Sequence, residues 1–304
     1  MNRNRILAKN IRKIKSERNA VILAHLYQPP EVQDVADFVG DSLELSKHAR
    51  DTKADVIVFA GVSFMAETAK ILNPEKTVLI PDPYAGCPMA AMVTANDVLA
   101  LKAAHPDAAV VCYVNSSIEV KAVSDICCTS ANAVRVVRSL PERKIIFVPD
   151  QNLGHYVARH CPDKEFFFST GFCPTHHQVS LAQLHDAKNE HPNALVLVHP
   201  ECKPEICDAA NFIGSTSQMI EYARTSKAKS FIICTEMGII HQMQKRSPFK
   251  EFFPVHAGMI CPTMKRTSLV SIEASLEKNR FIIEIDKQIL EKATSSVTRM
   301  LNLS

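Results

Sequence analysis

Asp37-Phe38-Val39-Gly40-Asp41-Ser42, Asp125-Ile126-Cys127-Cys128-Thr129-Ser130 and Asn211-Phe212-Ile213-Gly214-Ser215-Thr216 are one pattern written three times. Each begins on Asp or Asn, passes through a short apolar or thiol-rich run and ends on a hydroxyl. Working outward, each follows an apolar run that opens a unit: Val21-Ile22-Leu23-Ala24-His25, Val110-Val111-Cys112-Tyr113 and Val196-Leu197-Val198-His199. A second run comes after it, at Val56-Ile57-Val58-Phe59, Lys144-Ile145-Ile146-Phe147 and Phe231-Ile232-Ile233-Cys234. A third follows at Thr77-Val78-Leu79-Ile80, Glu165-Phe166-Phe167-Phe168 and Glu251-Phe252-Phe253-Pro254, and each third run leads to Cys-Pro, at Cys87-Pro88, Cys173-Pro174 and Cys261-Pro262.

The spacing ties these landmarks together. His25, Tyr113 and His199 are 88 and 86 residues apart, as are Ser42, Ser130 and Thr216, while the three cysteines are 86 and 88 apart. A fourth pair, Cys161-Pro162, falls out of register and shows that a single match carries nothing. An internal repeat of this kind sets the architecture before any other reading.

Apolar runs of four or five residues alternating with helical stretches predict parallel strands buried on both faces by helices. The expected fold class is therefore α/β: three pseudo-threefold-related αβα units with small parallel sheets and the active site at their central junction. The units span 1–105, 106–192 and 193–304, the last carrying an additional strand at Phe281-Ile282-Ile283-Glu284-Ile285 and a helix near 287–302.

Composition narrows the function. With 304 residues, 46% hydrophobic and 22% charged, the chain reads as an ordinary globular protein. A formal charge of +3 gives no basic groove for nucleic acid. The one basic run, from Arg3 to Arg18, interleaves Ile6, Leu7, Ile11 and Ile14 at helical spacing and predicts a surface helix. Neither a secretory leader nor a bilayer-crossing segment is expected, which points to the cytoplasm. Ten cysteines are then expected as thiols, and no Cys-x-x-Cys pair exists, so any metal they bind gathers them from distant parts of the chain.

In open parallel sheets, ligands bind beyond the carboxyl ends of the strands. His25, Tyr113 and His199 end first strands, each followed two residues on by another polar group: Tyr27, Asn115 and Glu201. Ser42, Ser130 and Thr216 are read as helix N-caps, whose free N–H groups suit carboxylate or phosphate. All eight glycines are expected in strand-to-helix loops, without a dinucleotide or triphosphate fingerprint. Singly, a hydroxyl at a helix start is ordinarily a cap and a strand-end histidine ordinarily structural. Triplication with differing chemistry, His/Tyr/His and Tyr/Asn/Glu, is what an asymmetric small ligand requires.

Cys87, Cys173 and Cys261 are expected to meet near the threefold centre. Three thiolates leave one position open, in either a [4Fe–4S] cluster or a Cys₃ zinc site. His176 and His177 are candidates for a supporting or capping role. Cys112, Cys127, Cys128, Cys161, Cys202, Cys207 and Cys234 are read as packing residues.

Ala24-His25-Leu26-Tyr27-Gln28, Gly40-Asp41-Ser42, Tyr113-Val114-Asn115-Ser116, Cys128-Thr129-Ser130-Ala131-Asn132-Ala133, Pro149-Asp150-Gln151-Asn152-Leu153-Gly154, His199-Pro200-Glu201-Cys202 and Gly214-Ser215-Thr216 resemble the motifs of quinolinate synthases. The likeness runs from about residue 20 to 302. It implies condensation of iminoaspartate with dihydroxyacetone phosphate to quinolinate in NAD biosynthesis, with iminoaspartate supplied by an aspartate oxidase or dehydrogenase. It implies a [4Fe–4S] cluster on Cys87, Cys173 and Cys261, and substrate binding by His25, Ser42, Tyr113, Asn115, Ser130, His199, Glu201 and Thr216. Tyr27, His199 and Glu201 are the expected proton-transfer groups. The chain lacks the C-terminal Cys-x-x-Cys-x-x-Cys run of some members. Two alternatives stay open: a three-lobed diphosphate reductase with a similar cluster, and a non-catalytic zinc-stabilised binding protein.

Overall fold

Strand side chains alternate between the two faces of a sheet, and here both faces are dry. In β1 (Ala20–His25), Val21 and Leu23 face the main core, while Ile22 and Ala24 face a second core under the N-terminal helix. That double burial is why the strands read as unbroken apolar runs. The computed structural model describes residues 3–303.

In the first lobe α1 (Arg3–Glu17) and β1 are followed by α2 (Pro30–Val35), β2 (Phe38–Gly40), α3 (Ser42–Asp51), β3 (Val56–Ala60), α4 (Ser63–Leu72) and β4 (Thr77–Leu79). Helix α5 (Ala95–Ala104) leads into the second lobe: β5 (Ala109–Tyr113), α6 (Ile118–Ala122), β6 (Ile126–Cys128), α7 (Ala133–Ser139), β7 (Lys144–Val148), α8 (Gln151–His160) and β8 (Glu165–Phe168). After α9 (Pro174–His177) and α10 (Leu181–Glu190) come β9 (Leu195–Val198), α11 (Pro204–Asp208), β10 (Phe212–Ile213), α12 (Thr216–Thr225), β11 (Ser230–Cys234), α13 (Ile239–Arg246) and β12 (Glu251–Pro254). Helices α14 (Leu269–Lys278) and α15 (Lys287–Asn302) close the chain.

Each lobe holds a four-stranded sheet of the same order, β2-β1-β3-β4, β6-β5-β7-β8 and β10-β9-β11-β12, with every strand pair parallel. The expected α/β class with three αβα units is what the structure shows. Three strands per unit are expected from the apolar runs; the fourth comes from the triplicated motif itself, which supplies the edge strands β2, β6 and β10. The chain leaves the first strand toward one edge and the second strand toward the other. A crevice therefore opens at their carboxyl ends, where a parallel sheet binds ligands.

Three expectations are corrected. Residues 281–285 do not form a strand; they meet β4 through the single antiparallel bridge Leu79–Ile282, flanked by hydrogen bonds from Ile80 N–H to Phe281 O and from Ile283 N–H to Val78 O. Phe281 has φ of 60°, which breaks a longer ladder. Glycine 154 lies inside α8, not in a loop, because Phe168 and Phe147 pack against its backbone. The helix N-caps sit elsewhere than expected: Asp41 caps α3 and Ser215 caps α12, so Ser42 and Thr216 occupy the first helical position, and Asn132 stands at the N-cap of α7, after Ser130.

The repeat also closes on itself. Thr94, Ser180 and Ser268, again 86 and 88 residues apart, each start a helix with a capping box. Helix α5 packs on β7 of the second lobe, and α14 takes the corresponding place on β3 of the first. Helix α15 then runs along α6, β6 and α4, joining first and second lobes. Among the described residues, no helix is long and apolar enough to cross a membrane.

Candidate active site

The first strand of each lobe aims its exit at the common junction. His25 and His199 have the same local geometry: the backbone N–H of Tyr27 donates to His25 Nδ1 at 3.1 Å, and that of Glu201 donates to His199 Nδ1 at 3.3 Å. In a neutral ring this leaves Nε2 as the protonated nitrogen, a donor for an anionic ligand. Burial, then the neighbouring His199, holds His25 down to about 3. Burial likewise takes His199 down to about 3, against the pull of Glu201. Both rings are thus neutral near pH 7.

The two helix N-termini are aligned across a lobe boundary. Asp41 accepts from the N–H groups of Leu43 and Glu44 at 3.1 Å, and its other oxygen accepts from Ser215 Oγ, also at 3.1 Å. One capping contact therefore presents Ser42 and Thr216 side by side.

One narrow cavity is lined by His25, Ser42, Tyr113, Asn115, Ser130, His199, Glu201 and Thr216, together with Tyr27. All nine positions named from the sequence for substrate or proton transfer thus come to one place. Asp41, Phe64, Thr129 and Met264 complete the wall. Sequence reasoning missed these four; Asp41 and Thr129 adjoin motif hydroxyls, whereas Phe64 and Met264 carry no signal of their own. Asn115 Oδ1 and Glu201 Oε1 are buried without a hydrogen-bond partner in the protein. Such acceptors call for donors on a ligand.

His176, left undecided by the sequence, is buried in the site. Its Nδ1 lies 2.7 Å from Glu201 Oε2 and 3.1 Å from Cys173 Sγ, and its Nε2 lies 2.8 Å from Thr235 Oγ1. Thr235 in turn meets the Tyr27 hydroxyl at 2.6 Å. His177 turns away and contacts Asn152 Nδ2 at 3.0 Å; the same amide donates to the Glu201 carbonyl at 3.0 Å. Burial pushes the Glu201 carboxyl up, but His176 and His199 outweigh it and bring it down to about 2. Burial, then Glu201, raises the Tyr27 and Tyr113 phenols well above their usual range. The site therefore pairs an ionised carboxylate with protonated phenols.

The three Cys-Pro loops share one anchor. Ser63 N–H donates to Ala85 O, Gln151 N–H to Gly171 O and Met237 N–H to Met259 O, each at 2.8 Å and each two residues before the cysteine. Burial drives the Cys87 thiol up to about 12, with Glu201 and Cys261 adding to it; burial, Glu201 and Cys87 act likewise on Cys173. The three thiols thus lie within electrostatic reach of one another. Their sulfurs are not all within 4.8 Å of each other; among the described residues the group that is so close is Cys173–His176–Glu201. Cys112, Cys127, Cys128, Cys161, Cys202, Cys207 and Cys234 are buried in the hydrophobic cores, as expected of packing residues.

Fold and site together define a class: a three-lobed α/β enzyme whose lobes enclose one polar cavity for a small anionic ligand. A sequence profile of the family described as "Quinolinate synthetase A protein" matches residues 9–302. The chain belongs to that family. It is 51% identical to the quinolinate synthase of Caldicellulosiruptor bescii over 298 residues, 98% of either chain. Identity is also 51% with the quinolinate synthase of Thermodesulfovibrio yellowstonii over 290 residues, 95% of this chain and 96% of the relative. With that of Sulfurihydrogenibium sp. it is 51% over 306 residues, 99% of each.

Proposed function

We propose that the protein condenses iminoaspartate with dihydroxyacetone phosphate to quinolinate, releasing phosphate and two waters, as a cytoplasmic step of NAD biosynthesis fed by an aspartate oxidase or dehydrogenase. The observation that carries this reading is the convergence of nine polar groups, from three lobes, on one cavity beside three thiols.

The donor set fits a [4Fe–4S] cluster on Cys87, Cys173 and Cys261. A single zinc bound by three thiolates needs sulfurs about 3.8 Å apart, from Zn–S bonds of about 2.3 Å. The thiols are more widely spread than that, which suits a polynuclear centre. When bound, such a centre with an open iron supplies Lewis-acid polarisation of a substrate oxygen. A second reading, a mononuclear metal on Cys173, His176 and Glu201, rests on their close grouping, and metal analysis separates the two.

The protein's own groups do the rest. Nε2–H of His25 and of His199 bind substrate carboxylate without taking up a proton. Ser42 and Thr216, at the first positions of α3 and α12, offer hydroxyls and helix N-termini to the phosphate, with Ser130 opposite. The Asn115 carbonyl oxygen orients an N–H or O–H of the ligand. Glu201 accepts the proton removed in enolisation, and Tyr27 donates to a departing hydroxyl.

The test is anaerobic purification followed by iron, sulfide and zinc analysis, with turnover assayed without reductant. Iron and sulfide near four each per chain, with quinolinate formed, support the reading; zinc without iron, or a requirement for electrons, overturns it. Cys87→Ala is expected to remain folded and lose the visible absorbance; a full cluster in that variant removes Cys87 as a ligand.

A further inference from the structure

Val62, Asp150 and Glu236 are equivalent positions, 88 and 86 residues apart, at the exits of the second strands. Each stands just before the residue that anchors a cysteine loop. Here the lobes diverge. Asp150 accepts the backbone N–H of Cys173, and Glu236 Oε1 accepts that of Cys261 at 3.3 Å. Val62 has no acceptor to offer Cys87.

Glu236 is fully buried and fully engaged. Its Oε1 also meets the Lys265 ammonium at 2.8 Å, and its Oε2 accepts from Gly238 N–H at 2.7 Å. Lys265 Nζ donates as well to the backbone carbonyl of Tyr27. A Cβ on Gly238 would lie 2.8 Å from both Glu236 Oε2 and Lys265 Nζ, and 2.9 Å from the Tyr27 carbonyl carbon. Nothing but glycine lets these groups close up.

We propose that the Glu236–Lys265 ion pair is a positioning device that locks the Cys261 loop to Tyr27, fixing a cluster ligand and a proton donor from different lobes in one geometry. Asp150 performs the ligand-holding half of that task for Cys173. The inference rests on the cluster assignment made above. Neither member of the pair lines the substrate cavity. Lys265 also cancels a carboxylate charge that would otherwise face the negative charge of the bound thiolates. Outer groups that orient metal ligands commonly govern metal retention as strongly as activity.

The test uses the iron-loaded protein and its Glu236→Gln, Lys265→Met and Lys265→Arg variants, prepared anaerobically. Iron release to a ferrous chelator is timed, and kcat and KM are measured. Glu236→Gln and Lys265→Met are expected to release iron about tenfold faster or more, and to lose kcat by a similar factor with KM little changed. Lys265→Arg, which can restore both contacts, is expected to return near wild type. Should Lys265→Met fail to fold, the double variant Glu236→Gln/Lys265→Met removes both charges and carries the same expectation. Wild-type release rates and kcat in folded Glu236→Gln or the double variant overturn the proposal. A wild-type chain that holds no iron overturns the cluster assignment itself, a different failure.

Discussion

The hydroxyls of Tyr27 and Thr235, from the first and third lobes, meet at 2.6 Å inside the protein. From Thr235 the contacts run on to His176 of the second lobe at 2.8 Å and then to Glu201 at 2.7 Å. A buried chain of hydrogen-bonding groups thus joins the phenol proposed as acid to the carboxylate proposed as base. It gives the two a route for resetting their protonation between steps.

Thr235→Val keeps the volume and deletes the link. kcat is expected to fall about tenfold, a fraction of the ~10²–10⁴ that a complete acid–base group supplies. Steady-state kinetics checks this; an altered KM with unchanged kcat would assign Thr235 to binding alone.

Glu201→Gln preserves shape and removes the base. The expected loss in kcat is about 10² or more, with iron content unchanged. Near-normal turnover would make Glu201 a structural partner of His176.

Acid should destabilise the iron-free chain. His25 and His199 are held to about 3 in the folded protein, against 6.5 for an ordinary histidine. Below pH 6.5 the unfolded chain binds protons that the folded one refuses. The stabilisation is therefore intact above that pH and drains away toward pH 3. Each ring is worth roughly 2 kcal/mol between pH 7 and 5. Glu201, depressed to about 2, adds its share only below its ordinary 4.5. Urea midpoints at the two pH values measure the effect, and His25→Gln should remove about half of it.

Gly154→Ala is expected to cost about 1–3 kcal/mol, since its Cβ would fall 2.7 Å from Phe168 and 3.1 Å from Phe147. Gly86→Ala, with nothing within 4 Å, should cost far less. Thermal unfolding of the two variants decides it.

Much of this molecule is legible before folding. Val21–His25, Val110–Tyr113 and Val196–His199 announce parallel strands because both faces of each are buried, which removes any polar alternation. The constant spacing from strand exit to hydroxyl to Cys-Pro places the site at the junction, because equivalent positions in equivalent lobes must face the same centre. Contacts between lobes have no such periodicity. The pairing of Asp41 with Ser215, the seat of His176 beside Glu201, the bridge through Thr235 and the Lys265 contact with Tyr27 join residues far apart in the chain. So the sequence alone determined the lobes, their strands and the polar groups that converge on the cavity. Only the tertiary structure decided which residues cap the helices, where 281–285 lies and how those polar groups are wired together. The reason is physical: local pattern reports burial and backbone preference, while a hydrogen bond across a lobe boundary exists only once both lobes are in place.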